Sequence, residues 1–406
     1  MKYKKGFVNL LLVLIIEMLC GCSYCQHEKT IVLAETAGVP RYLAYVKIKT
    51  ASHREAVIFL RDQDSGETIR AEKLLRERTI GDTVTYILPI TMDAYQKRTF
   101  SILNSQPEYC SIHPTDSLKV LGEGFELQIE NEHFVADLSS TDDKLKRGLY
   151  PGQLSSLFLK KKRVLLKRDG NNMHWAPNFQ KENSKDYKTI GHLNLDNAKI
   201  TQNNPYQLEL VKRGKVEGYG EIDLEGKYSF YAGLPYFIYS SSMEFSKDAK
   251  LFLLRNNEIT MDKLFTHLIY PDALGKFHEL PLYGPAKQLD SLSKTPLDDT
   301  INWVGFINKS EGFGIVSLIL DYDNSSKNGS DSPLINPHVK ITPSRYDGRY
   351  WDRRLIHNRA TLVPKGSRYR ETNAYLILDK VDNMADQIAY HFRCINNPIK
   401  VMYKSH

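Results

Sequence analysis

Short stretches in which apolar and polar positions alternate recur along most of the chain, separated by turn-forming residues. "YLAYVKIKT" (42–50), "EAVIFLRD" (55–62) and "TVTYILPITM" (83–92) carry β-branched and aromatic residues at period two, broken by turns such as "DQDSGE". This is the pattern of half-buried strands. "NSQPEYCSIHPTDS" (104–117), with two prolines and small polar residues, reads as a linker. A second series starts near residue 119. "FELQIENEHFVADL" (125–138) places Phe125, Leu127 and Ile129 on one face, then changes register around "ENEH" to Phe134, Ala136 and Leu138. Residues 206–245 read as three or four long adjacent strands, and 250–259, 303–322 and 373–381 continue the pattern. In 303–322 the turn signal "NKSE" precedes Gly-Phe-Gly and marks a hairpin. Helical periodicity is nearly absent, with "MADQIAYHF" (384–392) the best short helix. The pattern predicts an all-β protein with antiparallel strands in large sheets. A tether and small N-terminal β-sandwich fill 22–117, and a large β-domain fills 118–406.

One stretch breaks the alternation. "NNMHWAPNFQKENSKDYKTIGHLN" (171–194) has neither period two nor a helical stripe, yet holds His174, Trp175, Asn178 and His192. It is too polar for a core and too aromatic for a plain solvated loop, which is the composition of a binding or catalytic loop.

The amino terminus adds an address. "MKYKK" is a basic region and "GFVNLLLVLIIEML" an apolar run interrupted by Glu17, too short for a membrane span. "LCGC" (19–22) follows and resembles the bacterial lipobox. Residues 1–21 then form a lipoprotein signal peptide, and Cys22 becomes the lipidated first residue of the mature protein. The expected location is the bacterial cell envelope, at the periplasmic face or the cell surface, with the membrane as a partner through the lipid anchor. In an oxidising compartment Cys110 and Cys394 are available to pair, although sequence separation says nothing of proximity.

A net charge of +7 suits an acidic ligand, an anionic membrane surface or simply a solvated basic surface, and "KKKRVLLKR" (160–168) is the densest basic block. Nucleic acid is excluded as a partner by the absence of a recognition module and by the export signal. The 24 tyrosines suit strands, and they also suit sugar-binding surfaces because the ring packs while the hydroxyl hydrogen-bonds.

Three stretches in order, "HWAPNF" before "TIGHLN", then "EIDLEGKYSFYAGLPYFIYSSSMEF" followed by "LRNNEITMDKLFTHLIY", then "WVGFINKSEGFGIVSLILDY", together resemble the β-supersandwich of galactose-mutarotase-like proteins. The order of a small β-domain followed by the supersandwich is similar to that of exo-acting rhamnogalacturonan lyases. The resemblance covers about residues 119–400 and implies a galactose-mutarotase-like antiparallel β-supersandwich. It also implies a carbohydrate site on the concave face of the large sheet, bordered by the 171–194 loop. No cofactor is expected, and no cysteine spacing suggests a zinc or other metal site.

For a polysaccharide lyase acting by β-elimination on an acidic polysaccharide or oligosaccharide, a base, an acid and a carboxylate clamp are needed. His174 or His192 is the candidate base and Tyr231 the acid. Arg255 is the clamp, because guanidinium binds carboxylate bidentately. His267 is a further catalytic candidate. Trp175, Asn178, Tyr236, Glu279, Tyr350, Trp351 and Arg353 are candidate substrate-binding residues, the last three from "RYDGRYWDRRLIHNR" (345–359), where aromatics interleave with arginines. Plainer roles stand beside these: His267 as a strand histidine, Arg255 paired with Glu258 at the surface, Tyr231 and Tyr236 packing around a turn, and the arginine stretch as a domain seam. An epimerase would instead pair His267 or His192 with Glu279 or Glu244. A glycoside hydrolase would draw two carboxylates from Glu217, Glu221, Glu244 and Glu279. A non-catalytic glycan-binding protein would use Trp175 and Trp351 as stacking platforms.

Overall fold

The computed structural model describes residues 30–50, 55–75, 83–103, 105–107, 118–139, 152–167, 176–185, 187–193, 198–261, 263–284, 294, 296–298, 300–326, 338–343 and 348–404. The fold is all-β and antiparallel, as the alternation predicts.

The first sheet contains β1 (Thr30–Ala34), β2 (Arg41–Thr50), β3 (Val57–Asp62), β4 (Thr68–Lys73), β5 (Val84–Met92) and β6 (Lys97–Ile102). A seventh strand, β26 (Lys400–Lys404), arrives from the far end of the chain and pairs with β1, so that the order is β2-β5-β4-β3-β6-β1-β26. The sheet rolls until its outermost strands meet, where the Lys49 backbone N–H donates to the Tyr403 hydroxyl at 2.6 Å. Ile31, Leu33, Ile48, Leu60, Tyr86, Leu88 and Phe100 pack inside it. The two layers of the small domain are therefore halves of one sheet. Its last strand comes from outside the 22–117 interval, because β1 would otherwise present an unpaired edge.

Three further sheets build the large domain. One has β7 (Lys119–Glu123), β8 (Glu126–Glu130), β9 (Phe134–Asp137), β10 (Ser156–Leu159) and β11 (Val164–Lys167), in the order β11-β10-β9-β8-β7. The register change expected around "ENEH" is the turn between β8 and β9. There the Asn131 side chain accepts from the His133 and Phe134 N–H groups at 2.8 and 3.0 Å.

A nine-stranded sheet holds β14 (Lys199–Asn203), β15 (Gln207–Gly214), β16 (Ile222–Tyr231), β17 (Tyr236–Phe245), β19 (His267–Pro271), β20 (Phe277–Pro281), β21 (Trp303–Asn308), β22 (Phe313–Ser326) and β25 (Ser367–Leu378). The last sheet holds β12 (Asn178–Lys181), β13 (Lys188–Thr189), β18 (Ala249–Met261), β23 (His338–Pro343) and β24 (Arg349–Val363), in the order β13-β12-β18-β24-β23.

Alternation in β25 shows how the layers stack. Tyr375 and Ile377 join the core that the nine-stranded sheet shares with the other two sheets. Ala374, Leu376 and Leu378 face the other way and pack, with Ile388, under the helix α1 (Met384–Asn396). Burying one such aliphatic or aromatic side chain contributes about 1.5–3 kcal/mol, so both faces of this sheet are held apolar.

Candidate functional site

The strand β18 is not regular. Arg255 pairs with Arg354 and Glu258 pairs with Asp352, so β18 spends one more residue than β24 between the same two rungs. That is a β-bulge, formed at "RNNE" (255–258). In a flat strand residues three apart face opposite ways. The extra residue brings Arg255 and Glu258 onto one face. Asn178 pairs with Arg255 from β12 and joins them. On β24, Tyr350, Asp352 and Arg354 alternate onto the same face.

These side chains interlock. The Arg255 guanidinium lies 3.1 Å from Glu258 Oε2 and 2.9 Å from Asp352 Oδ2, and 5.4 Å from the centre of the Tyr350 ring. Asn178 Nδ2 donates to the same Glu258 Oε2 at 2.7 Å. Arg354 grips Asp352 bidentately, both contacts being 3.1 Å, and donates to the Tyr350 hydroxyl at 3.3 Å and to Thr342 Oγ1 at 3.1 Å. Asp352 is fully buried and Arg255 is 15% exposed, so Arg255 and the half-buried Tyr350 form the accessible edge. Burial opposes the Arg255 charge, and Glu258 and Asp352 outweigh it. Burial raises the Tyr350 hydroxyl. At the end of the row, His357 is pushed down to about 4, first by partial burial and then by the positive fields of Arg354 and Arg255.

Beneath the bulge the polar row continues inward. Ser241 donates to Asn256 Oδ1 at 2.9 Å and the Tyr375 hydroxyl to Asn257 Oδ1 at 2.8 Å. Ala176, which precedes a cis Pro177, accepts from the Tyr239 hydroxyl at 3.3 Å. With Glu258 and Asn373 these residues enclose about 180 Å3 of space between atoms, too narrow in this conformation to seat a water. Asn256 Nδ2 and Asn373 Oδ1 are buried there, and Asn178 Oδ1 is buried beside Glu258, each without a hydrogen bond among the described residues.

Of the sequence candidates, the fold brings together Asn178, Arg255 and Tyr350. Arg255 does pair with Glu258, but within a largely buried cluster. His174 and Trp175 lie outside the described residues, as do Cys22 and Cys110; Cys394 carries a free thiol. His192 ends the 3-10 turn Ile190–His192, where its Nδ1 accepts from the Thr189 N–H at 3.1 Å, so its ring closes the cap of that turn.

The other candidates sit elsewhere. Tyr231 stacks on Tyr45 of the small domain at 5.6 Å, and burial pushes its hydroxyl up to about 12. Tyr236 packs against His391 of α1, 6.0 Å away, on the opposite face of the nine-stranded sheet. His267 and Glu279 are neighbours 3.8 Å apart on β19 and β20, where Lys309 also holds Glu279 at 2.6 Å.

Two expectations from the arginine stretch need correction. Trp351 is fully buried, edge-on to Phe306 at 4.6 Å, and presents no ring face to a ligand. Arg353 points to the same inner side, binding Glu371 at 2.9 Å under the Tyr322 ring. Both are odd members of a strand whose even members form the cluster. The first three lysines of the densest basic run are also committed: Lys160 pairs with Glu130 at 2.6 Å, Lys161 with Asp379 at 2.9 Å, and Lys162 donates to the Glu311 carbonyl at 2.9 Å.

Sequence reasoning missed Asp352 as a site residue and Glu258 as more than a surface partner, and it named Arg354 only among the arginines of the 345–359 stretch. The available signal was period two: Tyr350, Asp352 and Arg354 share one face.

No protein-family model matches the chain, and no curated protein matches it. Among solved structures it is similar to an alpha-mannosidase from Enterococcus faecalis V583, with a TM-score of 0.52 at 9% identity over 98% of this chain and 49% of that one. A protein in the glycosyl hydrolase family 38 from Enterococcus faecalis matches with a TM-score of 0.53 at 9% identity, over 98% of this chain and 50% of that one. The chain thus spans about half the length of these structures, and at such identity the likeness is one of fold. A galactose mutarotase-like protein from Lactobacillus casei ATCC 334 aligns with 62% of this chain and 99% of its own at 11% identity, with a TM-score of 0.36.

Proposed function

We propose that this is a carbohydrate-active protein of the bacterial cell envelope, anchored through Cys22, which binds an acidic glycan at the edge formed by Arg255 and Tyr350. The observation that carries the reading is the bulge in β18. It sets Arg255 and Glu258 on one face beside Asn178, Asp352 and Arg354. A buried ionic row inside a sheet domain costs desolvation that apolar residues would avoid, which points to a binding role rather than to stability. The carbohydrate class is supported by the names of the fold neighbours, an alpha-mannosidase and a glycosyl hydrolase family 38 protein. The acidic character is supported by local charge. Arg255, Arg354 and Lys340, which pairs with Asp352 across β23 and β24, outnumber Glu258 and Asp352. Their field is felt at His357.

Calorimetric titration with uronate-bearing and sulfated oligosaccharides tests the reading. At least one should bind, and Tyr350→Ala should weaken it about tenfold, or 1.4 kcal/mol, while the melting temperature shows the fold retained. Absence of binding across the acidic panel would overturn it.

β-Elimination is a second reading, favoured by one feature. The Tyr350 hydroxyl, a proton donor, accepts from Arg354 beside the Arg255 guanidinium, and His174 precedes Asn178 by only four positions in sequence. It requires formation of an unsaturated uronate, seen as new ultraviolet absorbance. Binding without that absorbance leaves the protein a glycan binder.

A further inference from the structure

The small domain carries an open groove of about 280 Å3, lined by Pro40, Arg41, Tyr42, Thr91, Asp93 and Gln96 among others. This is just below the range of roughly 300–1,000 Å3 usual for small-ligand sites, as suits an open surface groove rather than a closed pocket. Tyr42 lines it and is 75% exposed, and Tyr95, in the turn between the lining residues Asp93 and Gln96, stands next to it and is 73% exposed. Exposed tyrosines usually move freely, but these are fixed. Tyr95 has a φ of 61°, a left-handed conformation unfavourable for a bulky side chain. Its N–H is bound by the buried Glu35 carboxylate at 3.1 Å. Its ring crosses Gly38 so closely that a Cβ there would lie 2.4 Å from the Tyr95 hydroxyl oxygen. The Tyr42 ring rests on Tyr390 of α1 at 5.7 Å, and its N–H points to the Tyr390 hydroxyl. Backbone strain is thus spent on holding an aromatic face in solvent.

The floor between them is polar. The Arg41 and Arg98 guanidiniums are committed, Arg41 to Glu35 and to the Cys394 and Asn397 carbonyls, Arg98 to Asp62, Glu67 and the Thr91 carbonyl. The Asp93 carboxylate, the Thr91 hydroxyl and the Gln96 amide nitrogen make no side-chain hydrogen bond among the described residues, while Gln96 Oε1 accepts from the Asp93 N–H at 2.8 Å. The charges of the two lining guanidiniums are met by Glu35, Asp62 and Glu67 behind them, and the lining Asp93 adds a negative charge. An anionic ligand is therefore disfavoured, whereas ligand hydroxyls suit a free carboxylate, a hydroxyl and an amide donor.

We propose that this groove is a second carbohydrate-binding site, for a neutral sugar chain that stacks on Tyr42 and Tyr95 and hydrogen-bonds to Asp93 and Gln96. It works independently of the acidic-glycan reading of the Arg255 cluster, and rigid tyrosines lose little conformational entropy on binding.

Affinity electrophoresis of the full chain in gels containing neutral mannan, galactan, glucan or arabinan tests it. At least one neutral polymer should retard the wild type. The double variant Tyr42→Ala, Tyr95→Ala should lose about tenfold in affinity. Asp93→Asn should weaken it further than Tyr95→Phe. No retardation by any neutral polymer, or full retardation of the double variant with its melting temperature intact, overturns the proposal. The acidic titrations described above are unaffected by either result, so failure of one site is distinguishable from failure of the other.

Discussion

Arg255 and Glu258 are three residues apart on a single strand, yet their side chains meet at 3.1 Å on the same face. The bulge is the reason, and Asp352 shares the guanidinium from the next strand at 2.9 Å. Arg255→Met keeps much of the side-chain volume but leaves the largely buried Glu258 carboxylate with Asn178 and no cation, while Asp352 keeps Arg354. We expect a loss of about 3–5 kcal/mol in urea unfolding. Adding Glu258→Gln to that variant should restore part of the loss, because the stranded charge is gone. If the double variant is less stable than the single, the pair is not coupled as described.

Trp351 belongs to the core. Trp351→Ala should cost about 3–5 kcal/mol through the cavity it leaves. Trp351→Phe should cost less, and at temperatures where it is folded it should bind glycans as the wild type does. A selective loss of binding with unchanged stability would return Trp351 to the site.

Glu35 governs the acid limit of the small domain. Burial raises its pKa, but Arg41 and the N–H groups of Tyr95, Ala37 and Gly38 outweigh that and hold it at about 2, against 4.5 when unpaired. A depressed carboxylate contributes stability that is complete above the unpaired value and fades as pH falls through the folded one. Wild type should therefore exceed Glu35→Gln in melting temperature near neutral pH. The gap should shrink between about pH 4.5 and about pH 2. A gap independent of pH would show that packing, not charge, sets the difference.

Cys22 is the proposed lipidation site. Cys22→Ala, expressed in a bacterium with lipoprotein processing, should move the protein from the membrane to the soluble fraction. Unchanged membrane retention would refute lipidation at that position.

Much of the scaffold was legible because burial follows alternation where one face of a strand is apolar. β17 shows this directly, with every second residue of "YFIYSSSMEF" buried. The helix was legible too, since Ile388 packs inward from a short amphipathic run. The cluster was harder. In β24 both faces are buried at Trp351, Asp352, Arg353 and Arg354, so polarity no longer marks the outside. The mixture of aromatics and arginines was read as one surface when it is two. The Arg255–Glu258 bulge was hidden for a related reason: "RNNE" looks like a polar interruption, and only the register against Arg354 and Asp352 shows that a residue has been inserted. The return of β26 left no local trace, because a five-residue strand pairing across some 370 positions depends on its partner's edge and not on its own pattern.

That return has a consequence for biogenesis. During synthesis β1 to β6 emerge first, yet β1 keeps one bare edge until Lys400–Lys404 has been made. Domains ordinarily fold in order as they leave the ribosome. Here the earliest domain is finished last. Until then Ile31 and Leu33, both fully buried in the completed sheet, lie on a strand whose free edge invites pairing with another chain.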